Sequence, residues 1–98
     1  MKKKIAILGS TGSIGQSTLE VIKNNKSKFD IIFLSANNNY KKLIQQAKFF
    51  KAKNVLIKNR KFYKRVQNSL KKNKTKVYSG EISISDIIST KLDYTMSA

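Results

Sequence analysis

The sequence predicts an α/β fold whose core is a parallel β-sheet. Three observations support this prediction. Short apolar runs of strand length alternate with longer segments of helical periodicity. The apolar runs carry few polar residues, as expected of strands that are covered on both faces. A glycine-rich loop at 9–15 joins the first apolar run to the first helical segment. Right-handed crossovers between parallel strands would place helices on both faces, in a doubly wound arrangement.

The first part of the chain predicts a strand, a helix and a second strand. Residues 3–8 (KKIAIL) and 29–36 (FDIIFLSA) have the apolar, β-rich composition of buried strands. Between them, apolar residues at i, i+4, i+7 and i+8 predict a helix over 13–24, ended by a pair of asparagines. The predicted apolar stripe of this helix consists of Ile14, Thr18, Val21 and Ile22.

The second part of the chain continues the alternation. Leu43, Ala47 and Phe50 fall at helical spacing and predict a helix over 40–51. The remaining predicted elements are a strand at 54–57, a helix marked by Phe62, Val66 and Leu70, a weak strand at 76–79, a short helix at 85–88 and a fifth strand at 92–98.

The length of 98 residues allows one small domain at most. Because the sequence stops inside the predicted fifth strand, we expect residues 1–98 to form a partial, truncated domain.

The chain is strongly basic, with 21 Lys and Arg against 5 Asp and Glu and a formal charge of +16. Such a charge can indicate a nucleic-acid partner. However, 19 of the basic residues are Lys, and Asn is also abundant. Specific phosphate and base contacts favour the planar fork of Arg. General lysine and asparagine enrichment therefore explains the charge better. A basic nucleic-acid-binding module stays open as an alternative, using Lys61, Lys64, Arg65, Lys71 and Lys72.

The composition also excludes several kinds of chemistry. The sequence has no Cys and no His, which removes disulfides, thiol metal sites and the commonest general base. Its five acidic residues are scattered, so none is offered as a metal ligand, and no catalytic residue is predicted. The apolar runs are far shorter than the roughly 20 residues of a membrane span. We expect a cytoplasmic protein without a membrane partner.

The glycine-rich loop is the clearest functional motif. It reads Gly9-Ser10-Thr11-Gly12-Ser13-Ile14-Gly15, and it runs from the first predicted strand into the first predicted helix. In dinucleotide-binding folds the first glycine of such a loop permits a tight turn, the second lets the backbone approach the pyrophosphate, and the third lets helix and strand pack closely. A nucleoside-triphosphate loop is disfavoured, because Gln16 and Ser17 stand where such a loop has Lys and Ser or Thr. All seven loop residues are candidates for cofactor binding.

The end of the second predicted strand indicates which dinucleotide is bound. An NAD-binding chain usually places Asp or Glu there to contact the ribose 2′-hydroxyl. Here the positions hold Ala36, Asn37, Asn38 and Asn39. Asn amides can donate hydrogen bonds to a 2′-phosphate, and lysines at 41 and 42 add positive charge. The sequence therefore favours NADPH over NADH, with these four residues as further candidates.

Residues 7–22 (ILGSTGSIGQSTLEVI) resemble the opening of the 1-deoxy-D-xylulose 5-phosphate reductoisomerase family, which begins with a GSTGSIG loop in a Rossmann-like NADPH domain. The segments 34–39 (LSANNN) and 95–98 (TMSA) are similar to later parts of that domain. The resemblance implies that Thr11 to Ile14 contact the cofactor phosphates and that Asn37 to Asn39 surround the 2′-phosphate. The sequence departs from the family at Asn37-Asn38, where a Gly followed by Lys or another polar residue is frequent.

The resemblance further implies what the whole enzyme does. The family isomerises 1-deoxy-D-xylulose 5-phosphate, a sugar phosphate, and reduces it with NADPH to 2-C-methyl-D-erythritol 4-phosphate in non-mevalonate isoprenoid biosynthesis. It uses Mg²⁺ or Mn²⁺, held by acidic residues of a later catalytic region, and it forms homodimers. We expect the catalytic and C-terminal domains to be absent from this chain, so that it has no turnover alone.

A segment of another NADP-dependent reductase, such as a semialdehyde dehydrogenase, is a second alternative. Its continuation would carry a Cys nucleophile in place of an acidic metal site.

Overall fold

A computed structural model describes residues 2–97, which form one parallel α/β sheet domain. The strands are β1 (Lys3–Leu8), β2 (Phe29–Ala36), β3 (Asn54–Ile57), β4 (Lys76–Ser79) and β5 (Tyr94–Ser97). The helices are α1 (Ser13–Lys23), α2 (Tyr40–Phe50), α3 (Tyr63–Leu70) and the single-turn α4 (Ile84–Ile87). Short 3₁₀ turns lie at Lys26–Lys28, Arg60–Phe62 and Lys71–Asn73.

The order of strands in the sheet is β4-β3-β2-β1-β5, and every described pairing is parallel. The chain moves outward from β1 to β4 and then returns to place β5 on the other side of β1. In open sheets of this kind, ligands bind at the carboxyl ends of the strands, next to the reversal of strand order. A candidate binding site is therefore expected at the edge of the sheet beyond Leu8, where the strand order reverses.

The strands β1 and β5 are joined at their start by two reciprocal hydrogen bonds. The Lys4 N–H donates to Asp93 Oδ2 at 2.8 Å, and the Asp93 N–H donates to the Lys4 carbonyl at 2.8 Å. These bonds fix the register in which Ile5 lies beside Tyr94.

Three helices cover one face of the sheet and form the larger core. Their buried residues are Leu19 and Ile22 of α1, Leu43 and Ala47 of α2, and Val66 and Leu70 of α3. They pack in one cluster with Ile5, Ile7, Ile31, Leu34, Val55 and Ile57 of the strands. Because Val66 and Leu70 are buried in this cluster, α3 packs on the sheet through one face.

The opposite face has a thinner cover. Ala6, Phe33 and Leu56 are buried there, and the α4 segment packs against them through Ile84 and Ile87. Helices thus lie on both faces, as predicted for a doubly wound sheet, although the second face carries only one turn of helix within residues 2–97.

The predicted apolar stripe of α1 is wrong in part. Ile14 and Val21 are 61% and 65% exposed, and the buried face consists of Gly15, Leu19 and Ile22. The cause is Gly15, whose backbone lies against the loop after β1. This contact turns the helix so that the residues four and seven positions later face the sheet.

The other elements follow the predicted order with small shifts in their bounds. The weak strand at 76–79 is confirmed. The short helix begins and ends one residue earlier than predicted, and the fifth strand covers Tyr94–Ser97. Position 98, the last of the predicted strand, lies outside the described residues. No helix within 2–97 is both long and apolar enough to cross a bilayer.

Candidate nucleotide-binding site

The glycine-rich loop turns the chain from the end of β1 into the start of α1. Gly9 has a φ of 76°, in the left-handed region where glycine is strongly favoured. The Gly12 N–H donates to the Gly9 carbonyl at 3.1 Å, which closes the turn. Gln16 Nε2 donates to the Thr11 carbonyl at 2.8 Å and holds the outer part of the loop against the helix.

Gly15 and Gly12 have different surroundings. A Cβ on Gly15 would lie 2.5 Å from the Gly9 carbonyl oxygen and 2.6 Å from the Ser10 Cα, so no side chain fits there. A Cβ on Gly12 would lie 3.5 Å from the Gly9 carbonyl oxygen, an ordinary contact. The packing of the protein therefore requires a glycine at 15, whereas it would tolerate a Cβ at position 12.

A buried polar network holds the loop from behind. Gln46 Nε2 donates to the Ser10 carbonyl at 2.9 Å, which leaves Gln46 Oε1 to accept from Ser10 Oγ at 2.8 Å. The Ser10 N–H donates to the Ser35 carbonyl at 2.9 Å, and the Gly9 N–H donates to Ser35 Oγ at 3.1 Å. These residues connect the loop to both β2 and α2.

Sequence reasoning missed Ser35 and Gln46 in this network. A signal for Gln46 was present, because a polar residue lies beside Leu43 and Ala47 on the apolar face of the predicted helix.

The asparagine turn at 37–39 joins β2 to α2. Asn39 is the N-cap of α2, and its Oδ1 accepts from the Lys42 N–H at 3.2 Å. Asn38 Oδ1 accepts from Asn59 Nδ2 at 2.8 Å. Asn59, which follows β3 by two residues, was not predicted as part of the site.

The structure brings the predicted residues to one place. Nine of the eleven line a single cleft of about 430 Å³, at the carboxyl ends of β1 and β2. They are Gly9, Thr11, Gly12, Ser13, Ile14, Ala36, Asn37, Asn38 and Asn39. Ser10 and Gly15 are buried immediately behind the loop and support it.

A second, larger cavity of about 630 Å³ continues along the same edge of the sheet. It shares Gly9 and Asn37 with the cleft and extends over Phe33 and Leu56 toward Lys58. Together the two cavities form an elongated crevice, whose larger part is lined by apolar residues such as Ile82 and Ile84 and also by Lys58 and Glu81.

The electrostatics of the cleft favour an anion. No acidic residue lies in the first turn of α1, and no described side chain caps its N-terminus. The first N–H groups of a helix lack intrahelical partners and carry a partial positive charge. The cleft lies at this helix end, so phosphate groups would find backbone donors there.

The acidic residues do not form a metal site. Asp30 lies 3.7 Å from Lys2 Nζ, Asp93 bonds to the Lys4 N–H, and Asp86 accepts from Ser83 Oγ at 3.1 Å. Among residues 2–97 no three Asp, Glu, His or Cys side chains come together. A Mg²⁺ or Mn²⁺ ion, which needs several oxygen ligands, does not fit the residues described.

The basic residues of α3 and its flanks lie on an exposed surface. One of them is engaged within the domain, since Arg65 donates to the Tyr40 hydroxyl at 2.8 Å and lies over its ring.

A parallel sheet that reverses its order at β1, with a glycine loop leading into a helix at that point, defines the Rossmann-like class of α/β domains. The sequence model of 1-deoxy-D-xylulose 5-phosphate reductoisomerase matches residues 5–98. The chain therefore belongs to the 1-deoxy-D-xylulose 5-phosphate reductoisomerase family.

Curated relatives of the same name have similar sequences. The protein of Pelagibacter ubique is 46% identical over 98% of this chain and 25% of its own length. That of Porphyromonas gingivalis is 46% identical over 90% of this chain and 23% of its own length. The chain thus spans about a quarter of the length of these relatives.

Solved structures of the family share the fold. The reductoisomerase of Zymomonas mobilis in complex with NADPH superposes with a TM-score of 0.79 at 34% identity, over 82% of this chain and 21% of that one. A reductoisomerase in complex with NADPH, fosmidomycin and magnesium gives a TM-score of 0.74 at 28% identity, over 81% and 20% of the two chains.

Proposed function

We propose that residues 1–98 form part of the NADPH-binding domain of a 1-deoxy-D-xylulose 5-phosphate reductoisomerase. The whole enzyme would convert 1-deoxy-D-xylulose 5-phosphate to 2-C-methyl-D-erythritol 4-phosphate. Family membership supports this function over that of another NADP-dependent reductase. The homodimer, the cytoplasmic location and the use of Mg²⁺ or Mn²⁺ are further predictions for the whole enzyme.

One observation carries the proposal. The glycine loop and the asparagine turn are separated by more than twenty residues, yet eight of their residues, together with Ala36, line one cleft at the N-terminus of α1. If the glycine loop had only a structural role, as a link between strand and helix, no second polar segment would be needed at the same cleft.

Each part of the cleft would bind a different part of the cofactor. The pyrophosphate would lie over Gly12, where the absence of a Cβ lets it approach the N–H groups of Ser13 and Ile14. The 2′-phosphate would lie at Asn38 and Asn39, whose amide groups can donate hydrogen bonds. In the larger cavity, Leu8, Ile82 and Ile84 offer apolar surface for a nucleoside ring.

The role of this chain in catalysis is to bind and orient the cofactor. Bound NADPH would supply the hydride that reduces the substrate. The described residues include no metal site, so the isomerisation would depend on residues elsewhere in the whole enzyme. We therefore expect NADPH binding without turnover from residues 1–98 alone.

Titration of this chain with NADPH tests the proposal. Nicotinamide fluorescence or calorimetry should give saturable one-to-one binding, with NADH binding more weakly. A matched control is Gly12→Ala, which places a methyl group where the pyrophosphate would approach. Equal affinity of wild type and Gly12→Ala for NADPH, or oxidation of NADPH with the sugar phosphate by this chain alone, would contradict it.

A further inference from the structure

We propose that Asn59 is a positioning residue that orients the side chain of Asn38 for a 2′-phosphate and so sets the preference for NADPH over NADH. This inference rests on the proposed NADPH site and adds to it a residue from a different strand end. Asn59 lies outside both the glycine loop and the asparagine turn.

The evidence is a chain of hydrogen bonds with a fixed direction. The Lys61 N–H donates to Asn59 Oδ1 at 3.0 Å. A backbone N–H can only donate, so the oxygen of the Asn59 amide must face it. Asn59 Nδ2 is then directed to Asn38 and donates to its Oδ1 at 2.8 Å.

This direction decides what Asn38 can offer to a ligand. A free Asn side chain can turn its amide over and present either the oxygen or the NH₂ group. Here the Asn38 oxygen is occupied by Asn59, which leaves Nδ2 as the group available to the cleft that Asn38 lines. A phosphate dianion has only acceptors, and it therefore gains from an amide that is already turned to donate. A ribose 2′-hydroxyl can donate or accept, and it gains much less.

The backbone holds the two asparagines at this distance. The Asn59 N–H donates to the Asn37 carbonyl at 3.0 Å, and the Lys58 N–H donates to the Ala36 carbonyl at 2.9 Å. Asn59 is half-buried, whereas Asn38 is exposed. The ring of Phe62, just beyond Asn59, stacks on Tyr40 at the start of α2 with 4.5 Å between the ring centres. The positioning group is thus held more firmly than the group it orients.

The substitution Asn59→Asp tests the direction of the hydrogen bonds. A carboxylate keeps the bond from the Lys61 N–H but cannot donate to Asn38, so the Asn38 amide should turn over and present its oxygen to the cleft. We expect the Kd for NADPH to rise about tenfold and the Kd for NADH to change by less than about twofold. The same split should appear between 2′,5′-ADP, which carries the 2′-phosphate, and 5′-AMP.

Two further variants separate orientation from charge. Asn59→Ala is neutral and frees Asn38 to turn, so it should weaken NADPH binding about threefold, again with little change for NADH. Asn68→Asp adds the same charge on the exposed face of α3 and should change neither affinity by more than about 1.5-fold.

In NMR spectra of the ligand-free chain, the Asn38 NH₂ protons should exchange more slowly in Asn59→Asp, because they become bonded to the carboxylate. Circular dichroism establishes that each variant is folded.

The outcomes are distinct. Equal losses for NADPH and NADH in both position-59 variants, or an unchanged NADPH affinity, would overturn the positioning role while leaving the NADPH site in place. A wild-type chain that binds neither nucleotide would overturn the proposed function, and the NMR exchange of Asn38 would still report on the hydrogen-bond direction.

Discussion

Ser10 and Gln46 are joined by two opposed hydrogen bonds in the interior of the domain, one from the hydroxyl to the amide oxygen and one from the amide nitrogen to the backbone carbonyl. Both side chains are buried, at 0% and 7% exposure. The pair ties the glycine loop to α2, and α2 begins at the asparagine turn. The two halves of the cleft are therefore held at a fixed distance by residues that do not line it.

Replacing Gln46 with Met should show how much the hydrogen bonds between Ser10 and Gln46 contribute to stability. Met has a similar size but no hydrogen-bonding groups, so the Ser10 hydroxyl and carbonyl would stay buried without that partner. We expect the free energy of unfolding, measured in urea, to fall by about 1–3 kcal/mol. Gln45→Met is the matched control, because Gln45 is exposed on the same helix and should cost less than about 0.5 kcal/mol. Similar losses from the two variants would argue against a structural role of the pair.

Gly12 and Gly15 of the loop should respond differently to the same substitution. Gly15→Ala forces a methyl group against the backbone of Gly9 and Ser10 and should destabilise the domain by about 3 kcal/mol or more. Gly12→Ala adds only an ordinary contact with the Gly9 carbonyl oxygen and should cost less than about 1 kcal/mol, mostly at the helix cap, while it weakens NADPH binding. Thermal unfolding and NADPH titration of both variants test this contrast. A Gly15→Ala variant as stable as wild type would contradict the close packing of Gly15 on the loop.

Asn39 allows stability and cofactor preference to be separated. In Asn39→Asp a carboxylate oxygen can still accept from the Lys42 N–H, so α2 keeps its cap and its stability. The negative charge would repel a 2′-phosphate, and the ratio of NADH to NADPH affinity should shift toward NADH by about tenfold. Asn39→Ala should instead cost about 1 kcal/mol of unfolding free energy. If Asn39→Asp binds NADPH as well as wild type, the 2′-phosphate lies elsewhere.

The orientation of α1 can be tested with two truncations of the same helix. Leu19 is 3% exposed, and Leu19→Ala should lower the unfolding free energy by about 2–5 kcal/mol. Val21 is 65% exposed, and Val21→Ala should change the unfolding free energy by less than about 0.5 kcal/mol. A larger loss for Val21→Ala than for Leu19→Ala would contradict this orientation and would support the apolar stripe that the sequence pattern predicts.

The sequence predicts well those features that depend on neighbouring residues. The glycine loop, the asparagine turn and the succession of strands and helices along the chain follow from local patterns, and the structure brings nine of the eleven candidate residues into one cleft. Ser10 with Gln46 and Asn38 with Asn59 are pairs 36 and 21 residues apart, so the sequence shows their chemistry but not their contact. The predicted stripe of α1 differs from the buried face because it leaves out Leu19, and because Gly15, which has no side chain, gives no apolar signal for the face it packs on.

The bonds between Lys4 and Asp93 join residues 89 positions apart, and they have a consequence for biosynthesis. Of the five described strands β1 leaves the ribosome first, and it can pair with β2 once the chain up to Ala36 has emerged. Its other edge stays open until Asp93 and β5 have emerged. Protease protection of ribosome-bound chains arrested at increasing lengths should therefore rise in two steps, with the second step only after β5 has left the exit tunnel. Among the described strands, the one synthesised first is thus among the last to have both of its edges paired.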